Sequence, residues 1–235
     1  MPIDTVPDHV AVAVYDIEVA ARRWHDELGG GWVGPAIPVA EAGFTTRQLR
    51  YAGGAKLELL EPASDGGFAA TFLERFGPRV HHVTLKVADL LAAVSTLEDE
   101  GFEVVDVATD GDMWHEGFLR PSQVGGLIVQ IAWAGYTDAD FAARFGAVPE
   151  EPAADAATLH GPLLTHPDLS AARAVWTALG AEVTEEDGGL TAGWPGEPLT
   201  IRIEPGDTAD APGLRIAGRP PLPADPQRGP ATLTP

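Results

Sequence analysis

Cysteine is absent from this chain of 235 residues, and cations are few. Without thiols there can be no disulfide, no thiolate nucleophile and no cysteine-ligated zinc site, and the redox compartment is left open. The 15 Lys and Arg residues are outnumbered by 35 Asp and Glu residues, which gives a formal net charge of −20. Binding to duplex nucleic acid requires clustered cations, so we expect no nucleic-acid partner.

Long apolar runs are missing as well. No stretch of the sequence approaches the roughly 18 apolar residues that indicate a bilayer-spanning helix. The first residues, MPIDTVPDHV, do not form a basic segment followed by an apolar one, which is the pattern of a signal peptide. We therefore expect a cytoplasmic protein with no membrane partner.

The chain does contain an internal repeat. The segment "DHVAVAVYDIEVAARRWHDELGG" begins at residue 8, and "HHVTLKVADLLAAVSTLEDEGF" begins at residue 81. Each copy has a histidine, an alternating apolar run and an aspartate, and the two spacings are equal, since 16 − 9 = 7 and 89 − 82 = 7. Alternation predicts a strand with one buried face, and aspartate suits a helix N-cap. Because further strand patterns follow each copy, each predicts a β-α-β-β-β module.

A third and weaker copy follows the segment "VPEEPAADAA". The sequence "LHGPLLTHPDLSAARAVWTALGAEV" again predicts a strand, an aspartate (Asp168) and a helix. The Pro-rich tail "AGRPPLPADPQRGPATLTP" predicts irregular structure. We therefore divide the chain into a two-module domain at 1–148, a linker at 149–157, a truncated third module at 158–217 and an irregular tail at 218–235.

These motifs resemble the vicinal oxygen chelate superfamily, which includes glyoxalase I, extradiol dioxygenases, bleomycin-resistance proteins and methylmalonyl-CoA epimerase. The segments "DHVAVAV", "KLELLEP" and "VHHVTLKVADL" look most like the epimerase branch. The resemblance covers residues 8–135 well and residues 158–217 weakly. It implies an α+β fold in which two β-α-β-β-β modules pair their sheets into a cup around one divalent metal ion.

The resemblance also implies the metal ligands, which come from the first and last strands of each module. Carried over to this sequence, they are His9, Glu58, His82 and Gln130. The spacing supports the set, since 58 − 9 = 49 and 130 − 82 = 48. Such ligands suit Zn, Co, Ni, Mn or Fe, so the identity of the ion stays open. Each of these side chains also has a plain structural interpretation, as a hydrogen-bonded strand residue.

The adjacent histidines of the second copy must point to opposite faces of their strand. The repeat aligns His82 with His9, so His82 is the predicted ligand. His81 aligns with Asp8 at the entrance of the strand. We therefore predict that His81 lies at the rim or caps the strand.

Gln130 departs from the family pattern, in which this position usually holds a Glu that serves both the metal and proton transfer. An amide oxygen can bind a metal, but an amide cannot act as a base near neutral pH. Either Glu58 or another group is the base, or the chemistry needs only Lewis-acid polarisation, or the protein binds a small molecule without catalysis. Glu58 and Gln130 are the candidate catalytic residues. A predicted polar loop, "TDGDMWHEGF", adds Asp112, His115 and Glu116 as further candidates for proton transfer.

A small-molecule substrate, which could be anionic, would meet cationic, amide and aromatic side chains. The candidates are Arg47, Gln48, Lys86, Trp114 and Arg120. Before the last strand of module two the chain reads "RPSQVGG", whereas the epimerases often have "HPKSxGG". The predicted function is a metal-dependent isomerase, epimerase or lyase that forms an enolate or enediolate from a small carbonyl or acyl-thioester substrate. The alternative is a bleomycin-resistance-like binding protein, and dimers are common in the family.

Overall fold

Among the described residues, an aspartate side chain caps the N-terminus of three helices, as the repeat predicts. The computed structural model describes residues 1–40 and 42–234. Each aspartate side chain accepts hydrogen bonds from amides in the first turn of its helix, which would otherwise lack partners. The pairs are Asp16 with Val19, Asp89 with Ala92, and Asp168 with Ser170 and Ala171.

The first module begins with strand β1 (Val6–Ala13) and helix α1 (Ile17–Ala21), which continues as a π-helical segment, Arg22–Glu27. Its remaining strands and the helix after them are β2 (Gly31–Trp32), β3 (Ile37–Val39), β4 (Phe44–Arg50), β5 (Lys56–Pro62) and α2 (Phe68–Phe76). The π-helical segment carries Trp24, whose side chain is fully buried.

The second module also begins with a strand and a helix, but three strands follow instead of four, and a short helix precedes the last strand. Its elements are β6 (Arg79–Lys86), α3 (Leu90–Asp99), β7 (Val104–Ala108), β8 (Trp114–Leu119), α4 (Pro121–Val124), β9 (Ile128–Ala134) and α5 (Asp138–Arg144). Strand β8 includes the second half of the segment predicted to be a loop, so that prediction is wrong for Trp114–Phe118. The hairpin with β9 explains the difference, because it pairs every residue of β8.

The C-terminal copy also follows the β-α-β-β-β order, with strands of five to nine residues. Its elements are β10 (Thr158–His166), α6 (Leu169–Ala178), β11 (Glu182–Glu186), β12 (Gly189–Gly193) and β13 (Thr200–Pro205). Two more strands follow, β14 (Asp210–Ala217) and β15 (Ala231–Leu233), and they pair in parallel.

Strand β15 lies in the tail that was predicted to be irregular. The main chains of Leu222 and Thr232 bond to each other, and the Thr232 hydroxyl accepts a hydrogen bond from the Leu222 amide. Two side chains of the π-helical segment also hold this tail. Arg23 donates to the carbonyl oxygens of Leu222 and Pro223, and the Trp24 indole donates to the carbonyl oxygen of Arg228. These contacts order a Pro-rich sequence that has no hydrophobic periodicity of its own.

The residues group into two units. The first comprises Met1–His9, His82–Tyr136 and Gly161–Pro212, and the second comprises Val10–His81, Thr137–His160 and Gly213–Pro235. In the second unit the first module has the strand order β2-β4-β5-β1. In the first unit the orders are β7-β8-β9-β6 and β11-β12-β13-β10, so the same pattern recurs in all three modules.

The strand register identifies which residue of the third module corresponds to Gln130. Aligning Pro205 with Pro62 puts Ile201 at the position of the last-strand ligand. In the structure Thr84, which is 89 − 84 = 5 residues before its capping aspartate, pairs with Gln130. The equivalent residue of β10 is Leu163, which is 168 − 163 = 5 residues before Asp168, and it pairs with Arg202. Since one residue of register reverses the face, Arg202 is the counterpart of Gln130, and Ile201 is a core residue with no exposed surface.

Among the described residues, no helix has the length and apolar character needed to cross a bilayer.

Candidate functional site

A row of polar side chains lies on one face of the second module. The register pairs Thr84 with Gln130, and it pairs Glu116 of β8 with the residue two positions beyond Gln130 on β9. Because alternate residues of a strand share a face, His82 lies on the same face as these three. Val83, which has no exposed surface, points to the opposite face.

Hydrogen bonds join these groups into a polar network, which we define as His9, Thr84, Gln130 and Glu116. The Thr84 hydroxyl donates to the side-chain oxygen of Gln130 at 2.5 Å and lies 3.0 Å from Nε2 of His9. Gln130 Nε2 donates to Glu116 Oε2 at 2.7 Å, and Trp114 Nε1 donates to the same oxygen at 2.7 Å. The Gln130 amide is therefore held at both ends, with its oxygen toward Thr84.

The two first-strand histidines are buried and close together. His9 is 3% exposed and His82 is 5% exposed, and their ring centroids are 5.6 Å apart in an edge-to-face arrangement. Asp8 lies 2.7 Å from Nδ1 of His9 through one carboxylate oxygen and 2.7 Å from Lys86 Nζ through the other. A carboxylate that holds Nδ1 orients the imidazole ring, and such a carboxylate is the usual support of a histidine in metal sites.

Glu58 lies in the second unit, on strand β5. It is 8% exposed, and the register places it directly across from Gln48 of β4. Gln48 Nε2 donates to Glu58 Oε1 at 3.4 Å, a long hydrogen bond. A buried carboxylate needs such partners because burial penalises its charge. Gln48 and Glu58 therefore lie on one face of the sheet and are joined by a hydrogen bond.

His81 does not lie at a rim, so that prediction is wrong. Its ring packs against Phe68 at a centroid distance of 5.5 Å and against Phe72 at 4.6 Å, and only 7% of the residue is exposed. The reason is helix α2, which follows β5 and lays both phenylalanines on the histidine. Burial lowers the pKa of His81 to about 4, against the opposing effect of the negative charge of Glu58. His81 is therefore a neutral core residue at physiological pH.

Comparison with known proteins places the chain in a family. Residues 8–118 match the model of the Glyoxalase/Bleomycin resistance protein/Dioxygenase superfamily. The chain is also 33% identical over 129 residues to an ethylmalonyl-CoA/methylmalonyl-CoA epimerase of Cereibacter sphaeroides, an alignment that covers 53% of this chain and 94% of that protein. The chain belongs to this superfamily. The predicted family is therefore confirmed.

Two solved structures extend the likeness. The methylmalonyl-CoA epimerase of Mycobacterium tuberculosis is similar with a TM-score of 0.53 and 27% identity, over 61% of this chain and 95% of that one. A hypothetical protein from Staphylococcus aureus is similar in fold alone, with a TM-score of 0.67 and 14% identity over 96% of both chains. The predicted α+β vicinal oxygen chelate fold is confirmed.

Among the substrate-binding residues predicted for this member of the glyoxalase superfamily, Lys86 and Trp114 lie beside the polar network. The Lys86 ammonium is 5.9 Å from the centroid of the Trp114 ring, and Trp114 binds Glu116 directly. Arg120 lies elsewhere in the first unit, where it pairs with the exposed Glu103 at 2.7 Å.

Arg47 does not share the face of Glu58. The register pairs it with Leu59, so its side chain points away from the Gln48–Glu58 pair. There its guanidinium lies 3.8 Å from the centroid of the Trp32 ring and donates to the carbonyl oxygen of Gly34. This side chain therefore has a structural contact of its own, a cation held over an indole face.

Sequence reasoning missed two polar residues of this superfamily member, Asp8 and Thr84. Asp8 precedes His9 and was treated only as a strand entrance. Thr84 is two residues from His82 in "HHVTLKV", and this spacing was the available signal that the two side chains lie on the same face.

Proposed function

We propose that this protein is an acyl-CoA epimerase of the glyoxalase superfamily, with methylmalonyl-CoA as the first candidate substrate. The observation that carries the proposal is the 33% identity to a named epimerase along 94% of that protein's length. In such a reaction the hydrogen on the carbon next to the thioester carbonyl leaves as a proton and returns on the other side. The two buried histidines and the adjacent carboxylates are residue types that this chemistry uses.

We further propose that His9, His82 and Glu58 hold one divalent metal, and that Gln130 adds its amide oxygen. Two imidazoles and one carboxylate are a common ligand set for Zn, Co, Ni, Mn or Fe, and these three side chains are all buried. The fit is supported by Asp8, which holds Nδ1 of His9 at 2.7 Å. When bound, such an ion supplies Lewis-acid stabilisation of the negative charge that develops on a thioester oxygen.

The protein's own side chains have distinct roles in this proposal. Glu58 is a carboxylate that can both bind a cation and hold a proton, and Gln48 steadies it through the 3.4 Å hydrogen bond. Gln130 can orient groups but cannot take a proton. Lys86 and Trp114 offer a cation and an aromatic wall to the acyl-CoA.

The metal assignment is tested by metal analysis of the purified protein beside two histidine variants. We expect about one ion per chain in the wild type, loss of that ion in His82→Ala, and retention in His115→Ala. His115 is a matched control because it lies in the same unit with its ring against Trp133, 4.6 Å between centroids. Absence of bound metal after loading with Co or Ni would contradict the assignment.

The reaction is tested by incubating a single C2 epimer of methylmalonyl-CoA with the metal-loaded protein and following the appearance of the other epimer. We expect interconversion, and a panel of other 2-substituted acyl-CoAs defines the substrate range. If the protein binds metal and acyl-CoA but converts no member of the panel, the non-catalytic binding protein replaces the epimerase.

A further inference from the structure

We propose that Glu116 supplies the acid–base carboxylate of the second module, the role that Gln130 cannot fill. The inference rests on the proposed function, because it names a proton-transfer residue for that reaction. The superfamily pattern puts this carboxylate on the last strand, and here the last strand carries an amide. A carboxylate on the neighbouring strand touches that amide at 2.7 Å.

Glu116 lies on the same face of the second module as the polar network. Glu116 stands on β8, and the register sets it across from Ala132 of β9, which in turn pairs with Lys86 of β6. All of these side chains share the face that carries Gln130 and Thr84. The small side chain opposite Glu116 leaves the carboxylate room to lie along β9 beside the Gln130 amide. The carboxylate therefore comes from the neighbouring strand, β8, but lies on the same face as Gln130.

The hydrogen bonds to the Glu116 carboxylate go to one of its two oxygens. The amide of Gln130 and the indole of Trp114 both donate to Oε2 of Glu116. Within residues 1–40 and 42–234, Oε1 accepts no hydrogen bond. Two donors therefore fix the group through one oxygen, while the lone pairs of the other oxygen are available to a proton on a substrate.

Glu116 is also connected to the proposed metal ligands Gln130 and His9. From Glu116 a continuous path runs by hydrogen bonds through Gln130 to Thr84, whose hydroxyl oxygen lies 3.0 Å from Nε2 of His9. This continuous path fixes the distance between the carboxylate and the histidine. General acid–base catalysis depends on such fixed geometry, and a positioned base contributes about 10²–10⁴-fold to a rate.

In the proposed step Glu116 first takes a proton from the substrate and then returns one. The bond between C2 of the acyl-CoA and its hydrogen breaks, and the proton goes to Oε1 of Glu116, which becomes a neutral carboxylic acid. The electron pair of that bond moves into the enolate of the thioester. When the carboxylic acid exchanges its proton with solvent and returns one to C2, solvent hydrogen enters the substrate. Formation of the opposite epimer requires a second proton donor that returns a proton to the other side of C2.

The test compares Glu116→Gln with the wild type and with Glu98→Gln, which neutralises an exposed carboxylate on helix α3 of the same unit. The readouts are solvent deuterium entry at C2 of methylmalonyl-CoA, bound metal, and the affinity for a non-reactive thioether analogue of the substrate. We expect a 10²–10⁴-fold loss of exchange in Glu116→Gln, with metal content and analogue affinity unchanged. Glu98→Gln should match the wild type in all three.

The double variant Glu116→Gln/Gln130→Glu separates a catalytic role from a structural one. It keeps one carboxylate and one amide but returns the carboxylate to β9, so we expect it to recover most of the lost exchange. If the wild type exchanges deuterium and Glu116→Gln exchanges it at a rate within threefold of the wild type, the inference about Glu116 is overturned. The proposed epimerase function would remain. Loss of metal or of analogue affinity in Glu116→Gln would also overturn the inference about Glu116, and absence of exchange in the wild type would overturn both proposals.

Discussion

The polar network makes a specific prediction for Thr84→Val, a change that removes one hydroxyl and keeps the shape of the side chain. Thr84 has no exposed surface, and its hydroxyl donates to the Gln130 oxygen at 2.5 Å. The variant leaves that oxygen buried without this donor. The lost hydrogen bond and the desolvation of the acceptor together cost roughly 1–3 kcal/mol. For a chain of this size, that corresponds to a fall in Tm of about 2–12 °C.

The assay is urea unfolding of the metal-free protein, monitored by tryptophan fluorescence, for the wild type, Thr84→Val and a control. Thr96→Val is the matched control, because the Thr96 hydroxyl donates to the carbonyl oxygen of Ala92 at the surface of helix α3. Surface changes of this kind usually stay within about 0.5 kcal/mol. If Thr84→Val and Thr96→Val cost the same small amount, the buried network does not have the strength that its geometry implies.

Two further predictions concern the second unit. Hydrogen bonding to Asp26 and Glu150 raises the pKa of His25, so its stabilising effect is complete below the unfolded-state value and is lost as pH rises through the folded value. The stability advantage of the wild type over His25→Gln should therefore be larger at pH 6 than at pH 9 and below about 1 kcal/mol, as urea unfolding at the two pH values would show. Trp24→Phe removes the indole hydrogen bond to the carbonyl oxygen of Arg228 and should cost about 1–3 kcal/mol, with faster amide exchange in the tail. Unchanged exchange there would contradict the anchoring role.

Much of the fold could be predicted because local signals agreed with one another. The alternation of apolar residues predicted the first strand of each module. An aspartate at the same distance after the histidine in both copies predicted where the following helix starts. The faces of His82 and Glu58 followed from the period of two in a strand. These features depend on residues close together in sequence, where steric and hydrogen-bonding rules act directly.

The remaining features depend on contacts between distant residues. Glu116 bonds to Gln130 only because the β8–β9 hairpin adopts one particular register, which the sequence between them does not specify. The burial of His81 depends on helix α2, which packs on it from a different segment. The correspondence of Arg202 to Gln130 depends on the β10–β13 pairing, because the proline motifs alone point to the neighbouring core residue Ile201.

The central claim is that this protein removes and returns the hydrogen next to an acyl-CoA carbonyl. The most direct measurement is nuclear magnetic resonance of methylmalonyl-CoA in deuterium oxide with the metal-loaded protein. The account predicts that the C2 hydrogen signal disappears at a rate proportional to protein concentration, and far more slowly with the His82→Ala variant. A C2 signal that persists at the rate of the protein-free control, with metal and acyl-CoA both bound, would contradict it.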